Sequence, residues 1–193
     1  KINGIEESDF IFLIGTNPRF EATILNARIR KSHLQNKIKI ISLNNVGDLT
    51  YPYDFLNGNT EDIKDIIEDK HDVSQMIKKA KKPLIILGQS IFLSPSGKYV
   101  FESIKYFFNK NGKINDNWNA LNIISENAST VGSLDLGIYQ TKDGSNEILT
   151  NLENHKYEIV FLLGQDSLQF KKQNEFIIYQ GSHGDKGAEI ADI

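Results

Sequence analysis

The chain has 193 residues, 39% hydrophobic and 24% charged, with 22 lysines and arginines against 25 aspartates and glutamates for a net charge of −3. Such a length buries an ordinary core, and such a balance offers no global positive field to hold nucleic acid or anionic lipid. With no cysteine, the chain carries no disulfide, thiolate zinc site, iron–sulfur ligation or cysteine nucleophile of its own.

The first predicted element is the strand Phe10–Ile14, FIFLI. A glycine loop, Gly15-Thr16-Asn17-Pro18, follows, and then a helix whose apolar stripe is Phe20, Ile24, Leu25, Ala27 and Ile29, ending near His33. The second strand is Ile38–Leu43. Residues 44–60, with Pro52 and Gly58 and no helical period, read as an ordered loop packed by Tyr51, Tyr53 and Phe55. A short helix then carries Glu61, Asp62, Asp65, Glu68 and Asp69 on its solvated side, with isoleucines interleaved. Val73, Met76, Ile77 and Ala80 mark another helix, closed by the basic run KKAKKP, whose charges complement a helix C-terminus. Strand Leu84–Leu87 precedes a helix with Val100, Phe101, Ile104, Phe107 and Phe108, stopped by Asn111-Gly112. Strands Leu121–Ile124, Ile159–Leu163 and Phe176–Tyr179 complete the series, with residues 125–144 read as an irregular wrap.

Short apolar strands alternating with helices imply an α/β fold, an open and mostly parallel sheet with helices on both faces, as one region over residues 1–193. Ligands of such sheets bind beyond the carboxyl ends of the strands. Three strands end alike, in FLIGTNP, LIILGQS and FLLGQDS, so Gly15, Gly88 and Gly164 are expected along one sheet edge. No apolar run approaches the roughly 20 residues that span a bilayer, and the opening residues lack a signal-peptide pattern, so the chain reads as soluble and intracellular.

The chemistry on offer is limited. The Gly15-Thr16-Asn17-Pro18 loop could cradle a phosphate or a purine, and reads equally as a strand-to-helix turn, since it is neither G-x-G-x-x-G nor a P-loop. His183 and Asp185 in GSHGDKG form either a catalytic or metal-binding pair or a tight loop bonded to its own backbone. His33, His71 and His155 read as surface residues near helix ends or in polar stretches. Arg19, Glu21, Arg28 and Arg30, with Asn26 between them, suit the holding of a buried carboxylate or a partner face, because guanidinium is planar, forked and weakly hydrated. No nucleophile elbow, H-E-x-x-H or paired catalytic set can be assembled.

LIGTNPRFEATILNARIRK resembles the 75 kDa-type large subunits of respiratory complex I, the proton-pumping NADH:quinone oxidoreductase, in which G-T-N-P-R-x-E-A and then L-N-x-R-I-R-K recur. The likeness continues through LTYPYDFLNGNT, KKPLIILGQSIF, NIISENASTVGSLDLGI, IVFLLGQDS and FIIYQGSHGDKGAEIADI. Those subunits are molybdopterin oxidoreductase-like by fold, so the resemblance implies that this chain is part of a larger domain of that kind.

Active members of that superfamily hold the nucleotide ends of their cofactor with a G-x-N-P-type loop, which Gly15, Thr16 and Asn17 match. Many also carry an acidic residue and proline-arginine after the second strand, where this chain has ISLNNVGD. The resemblance therefore implies a vestigial loop, no cofactor on this chain, and iron–sulfur clusters on an N-terminal portion or partner chain. It implies a non-catalytic, structural role in assembly, with Arg19, Glu21, Asn26, Arg28 and Arg30 as interface or structural residues. The implied partners are other peripheral-arm subunits of complex I, with no nucleic acid and no direct membrane insertion. The implied location is the matrix side of the mitochondrial inner membrane, or the cytoplasmic side of a bacterial one. Two alternatives stand beside it. One is an active molybdopterin-binding oxidoreductase fragment. The other is a generic nucleotide-binding α/β domain, since KKPLIILG also resembles the central domain of thiamine diphosphate enzymes.

Overall fold

The computed structural model describes residues 2–127, 129–138, 142–167 and 170–193. Where one region is expected from sequence, these residues gather into two compact units, Lys1–Thr130 and Val131–Ile193.

In the first unit, β1 (Phe10–Ile14) is buried at all five positions. Successive side chains of a strand point to opposite faces, so unbroken burial requires cover on both. The remaining strands are β2 (Lys39–Ser42), β3 (Asp54–Phe55), β4 (Pro83–Gly88) and β5 (Leu121–Ile124), in the order β3-β2-β1-β4-β5. Every neighbouring pair is parallel. Between them run α1 (Pro18–Glu21), α2 (Thr23–Asn36), α3 (Thr60–Ile67), α4 (Asp72–Lys79), α5 (Ser90–Leu93) and α6 (Gly97–Lys110).

One sheet face buries Phe10, Phe12 and Ile14 against Ile63 and Ile66 of α3, Val73 and Ile77 of α4, and Ile104, Phe107 and Phe108 of α6. The opposite face sets Ile11, Leu13, Ile40 and Ile86 against Ile29 of α2, Ile5, Leu49 and Tyr51. Each such side chain removed from water contributes about 1.5–3 kcal/mol. The expected α/β sheet with helices on both faces is present. Helix starts follow local chemistry: Asn59 caps α3 by accepting from the Asp62 N–H, and His71 caps α4 by accepting from the Val73 N–H.

Several local expectations are corrected. The helix after the glycine loop is broken at Ala22, whose φ of −152° and ψ of 71° are not helical. Phe20 and Ile24 are 79% and 74% exposed, while Asn26, Ile29 and Ser32 are buried. The inward face of α2 is thus largely polar, because it meets backbone carbonyls as well as apolar groups: Ser32 donates to Ile5 O and Asn26 to Leu49 O. Asp62 is buried rather than solvated, because its carboxylate accepts from the Asn57 N–H at 3.0 Å. Met76 and Phe55 are exposed; Phe55 lies on β3, the strand at the end of the sheet order, with the Tyr53 ring beside it at 6.3 Å.

In the second unit, β6 (Ile159–Leu163) pairs in parallel with β7 (Phe176–Gln180) as a two-stranded sheet. Leu162 and Ile177 are buried, as is Leu152 of the preceding helix Lys142–Glu153. Gly164 therefore ends a strand of this separate sheet, and only Gly15 and Gly88 share the edge expected for three. An apolar run announces a strand but not its neighbours, and β6 is in fact half-covered, with Ile159, Phe161 and Leu163 exposed. The stretch 125–144 is not wholly irregular: helix Thr130–Asp135 lies within it and Lys142 opens the next helix. Residues 128 and 139–141 of that stretch lie outside the described residues.

Candidate functional site

Strand order reverses between β1 and β4, since the connections from β1 lead to β2 and β3 on one side and that from β4 leads to β5 on the other. The crevice beyond the carboxyl ends of those two strands is where an open α/β sheet binds ligands. Gly15 and Gly88 stand there side by side. A Cβ on Gly88 would come within 1.9 Å of Gly15 O, so the two backbones touch. Gly15 has φ +60°, the left-handed region that glycine enters without steric cost.

The crevice is filled from within. The short helix α5, directly after β4, lays Ile91 over Gly15, where an added Cβ would meet its Cγ1 at 2.5 Å. Ser90 donates its hydroxyl proton to Gly15 O. A cavity of about 220 Å³ remains, lined among others by Gly15, Asn44, Gly58, Ile63 and Val100.

Past Gly15 the chain turns into α1 with Asn17 as N-cap, its Oδ1 accepting from the Arg19 N–H, and Pro18 in the first helical turn. A helix start offers free N–H groups and a partial positive charge, which favour an anion. Here the anion is the protein's own. Glu21 Oε1 accepts from the Asn17 N–H at 2.7 Å, and its Oε2 accepts from the buried Thr16 hydroxyl at 2.8 Å. Asn17 Nδ2 reaches across to Val46 O at 2.8 Å, in the loop after β2.

The arginines divide. Arg19 donates to Asp48 O at 2.9 Å and also bonds the Asp48 carboxylate, an exposed pair. The Thr50 N–H and then Arg19 hold the Asp48 carboxyl below its usual range. Arg28 forks onto Glu6, Nε at 3.0 Å and Nη2 at 2.8 Å, and holds that carboxyl below its usual range as well. Arg30 has no hydrogen-bond or ion-pair partner among the described residues. Asn26, the asparagine of the L-N-x-R-I-R-K string, is a buried hub: it donates to Leu49 O at 3.0 Å and accepts from the Tyr51 hydroxyl at 2.8 Å.

A family model described as molybdopterin oxidoreductase matches residues 1–193. The chain belongs to the molybdopterin oxidoreductase family. It is 41% identical over 98% of its length to the NADH-ubiquinone oxidoreductase 75 kDa subunit of Reclinomonas americana, covering 27% of that protein. It is 34% identical to the mitochondrial NADH-ubiquinone oxidoreductase 78 kDa subunit of Candida albicans, and 32% identical to a protein of Solanum tuberosum. The latter is named NADH dehydrogenase [ubiquinone] iron-sulfur protein 1, mitochondrial. Each of these two matches takes in all of the chain, and 26% and 25% respectively of the relative. The chain thus spans about a quarter of the length of these relatives. The resemblance to the 75 kDa-type subunits runs from end to end.

The loop after β2 is held by hydrogen bonds within the fold. Val46 O takes the Asn17 side chain, and Asn45 Oδ1 accepts from the Tyr53 hydroxyl and the Gly47 N–H. No hydrogen bond or ion pair joins His183 and Asp185 among the described residues: His183 Nδ1 bonds Ser182 at 2.8 Å, and Asp185 precedes the short helix Lys186–Ile190. The glycines around them pack on a ring, since a Cβ at Gly181 or Gly187 would collide with Tyr179. No cluster of three metal-ligating side chains occurs among the described residues. His33 bonds Ile38 O and His71 caps α4, both near helix ends as expected.

His155 is more than a surface residue. It pairs with the buried Glu175, whose carboxylate also accepts from the Gln173 N–H at 2.7 Å. The sequence signal for this pair is absent, because twenty residues separate the partners. No helix among the described residues is long and apolar enough to cross a membrane.

Proposed function

We propose that this chain is a structural, cofactor-less module of the large peripheral-arm subunit of proton-pumping NADH:ubiquinone oxidoreductase, supporting assembly beside the iron–sulfur electron-transfer chain. The names of its relatives support membership of that enzyme. The observation that carries the finer reading is Glu21. Its carboxylate takes the N–H and hydroxyl donors that a G-T-N-P loop would otherwise turn toward a phosphate. A second anion at the same donors would face that charge at hydrogen-bond range, which is repulsive.

Space argues the same way. About 220 Å³ at the switch point lies below the roughly 300–1,000 Å³ of small-molecule sites. That small volume supports the cofactor-less reading, and no reaction step is assigned to a pterin dinucleotide. In this reading the remaining residues hold the fold: Arg19 on Asp48, Arg28 on Glu6, and Asn26 on Tyr51. The module sits with the peripheral arm, on the matrix side of the mitochondrial inner membrane or the cytoplasmic side of a bacterial one. Its iron–sulfur partners lie on the same subunit or on neighbouring ones.

The test is metal and cofactor analysis of the assembled complex isolated from native membranes. The expected result is co-purification of the chain with the other complex I subunits, with iron present and molybdenum absent. Molybdenum at one equivalent per complex would overturn the cofactor-less reading. Failure to co-purify would overturn the assembly role.

A further inference from the structure

The dipeptide Asn-Gly stands at residues 3–4, 57–58 and 111–112. It is chemically labile, because a glycine nitrogen, with no side chain to crowd it, can attack the side-chain amide carbon of the asparagine before it. Whether it reacts depends on how the fold holds that nitrogen and the amide that must leave, and the copies are held differently.

Asn3 and Gly4 lie within the 3-10 helix Ile2–Glu7, whose repeating dihedrals fix the backbone. Asn111 closes α6 as its C-cap: its Nδ2 donates to Phe107 O at 2.8 Å, and the Gly112 N–H donates to Asn109 O at 2.9 Å. Both the leaving amide and the attacking nitrogen are tied down there. Asn57 and Gly58 instead stand exposed in the loop ahead of α3. The Gly58 N–H has no hydrogen-bond partner among the described residues, and Asn57 Nδ2 reaches Asp62 Oδ1 only at 3.4 Å, beyond the usual range. The glycine is required at this position, since its φ is +82° and an added Cβ would stand 2.8 Å from Asn44 Cβ. The fold thus keeps a reactive pair and leaves both reacting groups loose.

We infer that Asn57 is a site of spontaneous deamidation that loosens the start of α3. The Gly58 nitrogen gives up its proton to solvent and bonds to Asn57 Cγ, and the Cγ–Nδ2 bond breaks to release ammonia, leaving a cyclic imide. Water then adds to one imide carbonyl. Breaking the new Cγ–N bond yields aspartate; breaking the original peptide C–N bond yields isoaspartate, with the main chain rerouted through Cβ. Water is the only co-reactant.

The consequence follows from what Asn57 holds. Its N–H donates to Asp62 Oδ2 at 3.0 Å, and Asp62 is a buried residue in the first turn of α3. A carboxylate formed in place of the Asn57 amide faces that of Asp62 at close range, where like charges repel. The same helix carries Ile63 and Ile66 into the core under the sheet.

The test is peptide mapping by mass spectrometry of the full-length protein, aged while folded in warm, mildly alkaline heavy-oxygen water. The expected result is conversion at Asn57 to aspartate and isoaspartate, each carrying one heavy oxygen. It should run roughly tenfold or more faster than at Asn111, where two hydrogen bonds must break first. In denaturant the difference between the two sites should vanish. Asn57→Ser, which retains the backbone N–H on Asp62, should keep its melting temperature on ageing while that of the parent falls. Equal rates in the folded protein, aspartate without isoaspartate, or a deamidated parent with an unchanged melting temperature would each overturn the proposal.

Discussion

Tyr51 donates its phenolic proton to Asn26 Oδ1 at 2.8 Å, with both side chains buried. The contact ties α2 to the loop between β2 and β3, and Asn26 fastens the same loop again through Leu49 O. Tyr51→Phe keeps the ring and strands a buried acceptor, a change worth about 1–3 kcal/mol. Denaturant unfolding should register that loss. Burial also pushes the Tyr51 hydroxyl above its usual value, so the neutral form is favoured in the folded state. Stability should therefore fall as pH rises above about 10, where the unfolded tyrosine ionises first. Tyr51→Phe should flatten that decline; an unchanged slope would assign it to other groups.

The Glu6–Arg28 fork gives the opposite sign. Its carboxyl is held below its usual range, chiefly by the Arg28 hydrogen bonds. The contribution is present above the ordinary carboxylate value and is lost as pH falls through the lowered one. Glu6→Gln should be less stable than the parent at neutral pH, with the two converging in acid. Parallel melting-temperature curves down to acid would contradict this.

At the strand ends, Gly88→Ala places a methyl group 1.9 Å from Gly15 O, where backbone must move. Overpacking of this kind costs about 1–3 kcal/mol, occasionally more. Gly132→Ala meets nothing within 4 Å in helix Thr130–Asp135 and should stabilise by a few tenths to about 1 kcal/mol. Thermal melts of the two variants should move in opposite directions.

Glu21→Gln removes the charge at the glycine loop and keeps much of its geometry. A loss of about 1 kcal/mol is expected from the weakened hydrogen bonds. Added inorganic phosphate should raise the melting temperature of the variant and leave the parent unmoved. A parent stabilised equally by phosphate would show that Glu21 does not block the loop.

Much of the architecture was legible because apolar runs and glycines report it directly. All six strand runs are strands, and Pro18 opens a helix as its fixed φ allows. Composition is blind to which strand pairs with which, so Gly164 was assigned to the wrong sheet. The stripe across α1 and α2 misleads for a different reason: Phe20 on α1 and Ile24 and Ala27 on α2 match one helical period but face outward, and Asn26 and Ser32 lie inside because carbonyls of distant segments await them. At the candidate site, Gly15, Thr16 and Asn17 could be named from the string alone. The occupants of their donors could not, since Glu21 and Ile91 act through three-dimensional closure.

The central strand is made early and completed late. β1 pairs with β2 through Phe10 and Lys39, but its other edge waits for Pro83 and the residues after it. Until β4 leaves the ribosome, one flank of an entirely apolar strand keeps its N–H and C=O groups unpaired, the condition that invites association with other nascent chains. Such long-range closure also slows folding. Asp9 lies at the entry to that flank, and its carboxylate accepts from the Lys81 and Lys82 N–H groups just ahead of β4. The last gap in the sheet thus closes beside a charged latch, whose two hydrogen bonds fit only the observed register of β4 on β1.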